Sequence, residues 1–223
     1  PSEETGRIFC MGFNSDPDKL RLLALPRIDY ILDTADEKTI KLRQMLKDKA
    51  GDRKTILYAP TFRNNDTVRL EELCNAIDFE RYLLVVSPHP LDIDNYRGAA
   101  SCQDMDNLII DSATDSFSWI KACDIIITDY SALGIEALVT EKPIYYDVYD
   151  VDTYIEEVGL NINVLEDMPN CTSRDAAELM DMVSKEYNYT EFRAFKNKYI
   201  TADINNCTQK LAEFAVGLCV QSR

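Results

Sequence analysis

The sequence predicts an α/β fold organised on a doubly wound parallel sheet. Two observations carry this. Five short apolar runs are continuous rather than alternating, as expected of strands buried on both faces. Helical stretches lie between most of them, which implies crossover connections and parallel pairing. At 223 residues, 46 % of them hydrophobic, the chain has room for one large domain or two small ones and can bury a sizeable core.

Residues 1–35 read as a lead-in or interdomain segment: a polar start from Pro1 to Arg7, then Leu20 to Leu25, then Pro26-Arg27-Ile28-Asp29. The start has no Met and none of the features of a signal peptide, which suggests a piece of a longer chain. An amphipathic helix is expected from Glu37 to Lys49, ended by Gly51-Asp52. The first strand is Thr55–Ala59, stopped by Pro60, and the second is Tyr82–Ser87, stopped by Pro88. The third is Asn107–Asp111, reached through a looser segment at 90–106. Cys123–Thr128 and Pro143–Asp147 complete the set. Helices are expected at Val68–Asp78, Asp115–Ala122 and Ser131–Thr140. Beyond Asp147 the pattern turns helical, with Ser173–Tyr187 opened by a serine cap, then Thr190–Ile200 and Asp203–Val220. Residues 36–200 are thus expected to form the Rossmann-like domain. Residues 201–223 would be a closing helix, packed on that domain or on one that precedes it.

The net charge of −15 argues against a nucleic-acid groove and against broad adhesion to anionic lipid. It does not forbid a local phosphate site built from a helix N-terminus and a cation or two. No run of about 20 apolar residues suggests a membrane span. Seven cysteines, at 10, 74, 102, 123, 171, 207 and 219, include no CxxC pair and read as free thiols of a reducing cytoplasm. One histidine and scattered cysteines give no metal-ligand spacing, so no metal is expected. Sequons at Asn65, Asn170, Asn188 and Asn206 carry no weight without a secretory signal.

In open parallel sheets ligands bind beyond the C-terminal strand ends. Those positions hold Pro60-Thr61-Phe62-Arg63, Pro88-His89-Pro90, Asp111–Thr114, Asp129–Ala132 and Tyr149-Asp150. His89, the only histidine, is fixed between two prolines and suits acid–base work or a phosphate contact; a capping histidine is the plain alternative. Arg63 has the fork geometry for phosphate oxygens, or makes a surface salt bridge. Ser131 opens a helix whose free N–H groups would draw a diphosphate, or is a simple N-cap. Glu136, in the apolar stretch Gly134–Leu138, suits ribose hydroxyls better than solvent. Asp150 and Tyr154 could touch a donor, while Lys142 belongs at the opposite strand end. Neither G-x-G-x-x-G nor G-x-x-x-x-G-K-[ST] occurs, which disfavours the usual dinucleotide and P-loop sites. A phosphoacceptor receiver domain is disfavoured too, because Pro60-Thr61 comes after the first strand where an acidic pair is needed.

Four segments, Leu57-Tyr-Ala-Pro-Thr-Phe-Arg63, Ser87-Pro-His-Pro90, Asp124-Ile-Ile-Ile-Thr-Asp-Tyr-Ser131 and Lys142-Pro-Ile-Tyr-Tyr-Asp-Val-Tyr-Asp150, occur in this order. Together with Leu25-Pro-Arg-Ile-Asp29 they resemble the CDP-glycerol glycerophosphotransferases of teichoic acid synthesis. The resemblance runs from about residue 20 to 155, and more faintly to 215. It implies the C-terminal, donor-binding half of a GT-B architecture, with CDP-glycerol or another nucleotide-activated donor as substrate and no cofactor or metal. It implies that His89 stabilises or protonates the phosphates. Thr128, Asp129, Ser131 and Ala132 would cradle the diphosphate, with Pro60, Arg63 and Asp150 nearby and Glu136 on the ribose. It further implies a polymer or lipid-linked acceptor, bound through an N-terminal domain whose His-Gly motif supplies the base, and a cytoplasmic location at the inner membrane face. The sequence departs from the family pattern at Ala132 (usually Ser), Glu136 (usually Asp), Ile204 in Asp203-Ile-Asn (usually Gly) and Leu25 (usually Gly). Those departures leave a nucleotide-sugar transferase of the same architecture, or a non-catalytic nucleotide-binding module, as alternatives.

Overall fold

The structure, a computed structural model, describes residues 2–63, 69–100 and 106–221. Six strands form one parallel sheet: β1 Lys54–Ala59, β2 Tyr82–Val86, β3 Leu108–Ile110, β4 Ile125–Thr128, β5 Ile144–Asp147 and β6 Thr172–Ser173. Their order is β3-β2-β1-β4-β5-β6. The chain therefore runs outward from β1 to β3, returns to the other side of β1, and runs outward again to β6. Such a reversal opens a crevice at the C-terminal ends of the two central strands. Here those are β1 and β4, joined in register from Ile56↔Ile125 to Ala59↔Thr128.

Twelve α-helices surround the sheet among the described residues. In chain order they are α1 Glu3–Gly12, α2 Arg27–Leu32, α3 Glu37–Ala50, α4 Leu70–Ala76, α5 Ile93–Ala99 and α6 Ser116–Ala122. The rest are α7 Ala132–Ala137, α8 Val151–Glu157, α9 Val164–Asp167, α10 Ala176–Ser184, α11 Tyr189–Tyr199 and α12 Cys207–Gln221. The strands are buried almost throughout, as their uninterrupted apolar runs require. Helix ends obey ordinary capping: Asp36 caps α3, Asp115 caps α6 and Ser131 caps α7, each accepting a backbone N–H of the first turn.

One close approach sets the position of α7. A Cβ on Gly134 would lie 2.9 Å from Tyr146 Cε1 and 3.0 Å from Thr128 Cγ2, so only glycine lets the helix sit this near β4 and β5. The segment 1–35 contributes structure of its own. Helix α2 packs on α6 and α12 and places Ile28 and Ile31 in the core.

Three expectations need correction. Residues 90–106 are not uniformly loose, because a 3₁₀ turn at Pro90–Asp92 runs into α5. That helix buries only Tyr96 and carries Gly98, so its apolar period is weak. Ser173 is not a helix cap but belongs to β6, and Asp175 caps α10 through the Glu178 N–H. A two-residue strand leaves no pattern to read. Helix α12 starts at Cys207 rather than Asp203, since the Asp29 carboxylate accepts the Cys207 and Thr208 N–H groups, each at 2.8 Å, and fixes its first turn there. Val68, Cys102 and Asn65 lie outside the described residues.

Candidate functional site

The crevice at the ends of β1 and β4 is organised by Asp129. This carboxylate is 2 % exposed. It accepts the Thr61 N–H at 2.9 Å, the Thr61 hydroxyl at 2.6 Å, Arg63 Nη2 at 2.9 Å and the Ser131 N–H at 3.2 Å. Burial pushes its pKa up, against the pull of Arg63 and Thr61. Arg63 also reaches Asp150, with Nε at 2.7 Å and Nη2 at 3.3 Å, and donates from Nη1 to the Thr61 carbonyl. Burial alone would lower the guanidinium, but Asp150 and Asp129 more than offset this and hold it above the usual arginine value. Its planar face lies 5.4 Å from the Tyr130 ring centre and 5.0 Å from that of Tyr154. Those two rings stack at 4.1 Å, and the Tyr130 hydroxyl donates to Asp150.

His89 lies in the loop after β2, beside Phe62 of the loop after β1. Its ring is exposed and tilted against Phe62, with centroids 5.2 Å apart. Nδ1 accepts the Leu91 N–H at 3.2 Å, so in the neutral ring the proton sits on Nε2. The histidine does cap a turn, but by accepting an amide rather than by satisfying carbonyls. Asp92, three residues on, accepts the Arg63 N–H at 3.3 Å and ties the loop after β2 to the loop after β1. The loops bearing Arg63, His89, Ser131 and Asp150 thus meet at one sheet edge.

The individual side chains differ in what they offer a ligand. Thr128, expected in the turn that cradles a diphosphate, is fully buried, and its hydroxyl donates to the Ala59 carbonyl. The Arg63 fork, expected on phosphate oxygens, is taken by Asp150. The Ser131 hydroxyl accepts the Leu133 N–H at 3.3 Å, an N-cap. Ala132 is exposed, and Pro60 is half-buried at the end of β1. Glu136 is 8 % exposed and lies 3.4 Å from Arg27, which also sits over the Phe117 ring. Burial raises its pKa and Arg27 opposes the rise. Lys142 is indeed at the other strand end, where its ammonium caps the carbonyls of Ile120, Lys121 and Cys123. Burial pushes it down to about 8.

Four groups were not singled out as site residues in the sequence: Asp92, Arg27, Arg69 and Asp147. The first two are exposed-type residues in unremarkable local context. Asp147 ends an apolar strand, as Asp129 succeeds one, and that parallel is the signal that could have found it. Among the described residues no group of three or more His, Cys, Asp or Glu is placed to hold a metal ion.

Comparison with known proteins agrees with this architecture. Residues 1–216 match the CDP-glycerol:poly(glycerophosphate) glycerophosphotransferase family. The chain belongs to this family. A teichoic acid glycerol-phosphate primase of Bacillus subtilis (strain 168) is 29 % identical over 226 residues, covering 97 % of this chain and 56 % of the relative. A primase of the same description from Staphylococcus aureus (strain NCTC 8325 / PS 47) is 34 % identical over 167 residues, 71 % of this chain and 40 % of the relative. The chain therefore spans about half the length of these curated relatives, or less. The solved structure of the wall teichoic acid polymerase TagF superposes with a TM-score of 0.77 at 22 % identity, covering 100 % of this chain and 57 % of that one. A UDP-GlcNAc 2-epimerase from Neisseria meningitidis, bound to UDP-GlcNAc, matches at TM-score 0.64 and 15 % identity, covering 97 % and 60 %. At these identities the likeness establishes the fold: a Rossmann-like half of the GT-B type.

Proposed function

We propose that this glycerophosphotransferase-family chain binds CDP-glycerol and serves as the donor half of an enzyme that moves glycerol phosphate to a hydroxyl of a teichoic acid-like polymer. The observation that supports the reading is that the loops bearing Arg63, His89 and Ser131 are tied together beyond the C-terminal ends of β1, β2 and β4, in a chain of this family. Arg63 acts as the scaffold of the site, held by Asp129 and Asp150. His89 presents its Nε2–H to the departing phosphate, as hydrogen-bond donor or acid. Ala132, exposed at the start of α7, suits the diphosphate, and Glu136, near the end of that helix, suits the ribose. The reaction needs no metal or cofactor in this reading. Residues 36–200 act as the donor domain, and the segment 201–223, which carries α12, packs on that domain or on one that precedes it. The acceptor is polymeric or lipid-linked and is held by a second domain, at the inner face of the membrane. No helix among the described residues is long and apolar enough to cross it.

Titration calorimetry of this chain with CDP, UDP and ADP tests the proposal. CDP is expected to bind tightest. A UDP preference would favour nucleotide-sugar transfer on the same architecture, and no binding of any of the three would remove the donor-site reading. In an active full-length enzyme, His89→Ala should lower turnover by about 10²–10⁴-fold, the usual range for an acid–base group. Unchanged turnover would remove the histidine from the chemistry.

A further inference from the structure

The site proposed for an anionic donor is itself short of positive charge. Among the described residues, Arg63 and Arg69 are the arginines at the ends of β1, β4 and β5, and they face the carboxylates of Asp92, Asp129, Asp147 and Asp150. A diphosphate entering this cluster would add negative charge to an existing excess. Three of the four carboxylates are well held. Asp129 takes donors from Thr61, Arg63 and Ser131, Asp150 takes Arg63 and Tyr130, and Asp92 takes the Arg63 N–H. Asp147 is different. It is fully buried, and neither of its oxygens accepts a well-formed hydrogen bond; the Tyr58 hydroxyl faces it more loosely. Arg69 Nε, itself buried and without a hydrogen bond, comes only to 3.5 Å. The rest of the Arg69 guanidinium is engaged elsewhere, donating to the Arg174 carbonyl and lying 4.8 Å over the Tyr149 ring.

We propose that the site takes up one proton from solvent as its anionic donor binds, and that Asp147 is the group that receives it. This rests on the donor-site reading above. Asp147 ends β5 one residue past the rung Thr128↔Tyr146, so it stands beside Asp129 at the neighbouring strand end. The charged and titratable groups around it are Arg69 at the head of α4, Tyr58 of β1 with Tyr96 of α5 behind it, Asp129 after β4, and Tyr149 and Asp150 after β5. Glu178 of α10 is turned instead to the Ser173 hydroxyl. Burial pushes the Asp147 carboxyl up to about 7; Arg69 and the Tyr58 hydroxyl draw it down, while Asp129 and Asp150 push it further up. A bound dianion adds to the upward push, so a carboxyl poised near neutrality becomes protonated. Protonation also removes the negative charge that Arg69 faces at 3.5 Å, so the net charge of the site rises by one.

The test is calorimetry of CDP-glycerol binding at pH 7.5 in two buffers of different protonation heat. The phosphates of this diester do not titrate there, so exchanged protons belong to the protein. The wild-type chain should take up most of one proton, at most about three-quarters for a free carboxyl near 7, and its Kd should weaken by up to about tenfold per pH unit above pH 7. Asp147→Asn should abolish both effects, whereas His89→Gln should keep them. Uptake that survives Asp147→Asn, or that vanishes in His89→Gln alone, overturns the assignment. ¹³C spectra of aspartate-labelled wild-type chain track the same carboxyl without a substitution; a buried carboxyl that stays ionised in the complex at pH 7.5 also overturns it. Binding without proton uptake removes this proposal and leaves the donor site standing, while absence of binding at every pH removes both.

Discussion

Arg63→Lys keeps the charge at the centre of the site and removes its geometry. The guanidinium makes two parallel bonds to Asp150, one to Asp129 and one to the Thr61 carbonyl. A lysine ammonium is a single point on a flexible stem and can serve one carboxylate well. If it stays with Asp150, the buried Asp129 keeps its bonds from Thr61 and Ser131 but loses its cation. If it moves to Asp129, the half-buried Asp150 keeps only Tyr130 and water. Either way one or two charge-assisted hydrogen bonds go, at about 1.5–3 kcal/mol each. The more exposed carboxylate recovers part of that from solvent, so the net cost should be about 2–4 kcal/mol. For a chain of this size that is a fall in Tm of roughly 4–16 °C. Urea denaturation monitored by fluorescence of Trp119, the only tryptophan and a buried one, gives the same quantity independently. A Tm within about 2 °C of wild type, with an unchanged urea midpoint, would show that the fork is not what holds these loops together.

Gly134→Ala should cost about 1–3 kcal/mol, because its Cβ would meet Tyr146 and Thr128 at 3.0 Å or less and force α7 off the sheet; calorimetric melting measures it. Asp29→Ala should speed hydrogen exchange at Cys207, Thr208 and the first turn of α12 while leaving the sheet protected. The Thr208 and Cys207 contacts hold Asp29 down at about 2, so this anchor is fully present above the ordinary carboxylate pKa and is lost as the pH falls through 2. Asp147 has the opposite sign. Its folded-state pKa, about 7, exceeds the ordinary value of about 3.9, so the folded chain holds a proton that the unfolded chain has released. Stability from this group is full below about pH 4 and declines as the pH rises to 7. The Tm advantage of Asp147→Asn over wild type should therefore grow across that window and level off above pH 8; a difference independent of pH would refute it.

Strands β1, β2, β4 and β5 are legible in the sequence because each is an uninterrupted apolar run, and the first two end at Pro60 and Pro88. Their order is not, since a local pattern says which segments are strands and not which ones pair. β6 is hidden for a plain reason: Thr172 and Ser173 are two polar-looking residues buried by β5 and α10. Helix α5 has a single buried residue, too few to show a period. Site residues can be placed from the sequence because they stand just past the strand ends, as Arg63, His89 and Ser131 do. Their partners cannot. Arg63 and Asp129 are 66 positions apart, and nothing in the sequence says that the fork of Arg63 closes on Asp150 rather than on a ligand.

That choice of partner decides what kind of site this is. An arginine left free at the crevice would bind phosphate at the expense of ordering a long side chain at each encounter. Here the guanidinium is already fixed by two carboxylates and flanked by two tyrosine rings. The carboxylates, in turn, belong to different loops. Asp129 joins the loops after β1 and β4, Asp150 adds the loop after β5, and Asp92 adds the loop after β2. Four strand ends are thus locked around one cation before any ligand arrives. Such a site gains orientation in advance and gives up net positive charge to obtain it. In the proposed donor site, the attraction for an anion then comes from backbone N–H groups, from the Nε2–H of the exposed His89, and from removal of the negative charge on Asp147, the carboxylate of the cluster that no well-formed hydrogen bond holds.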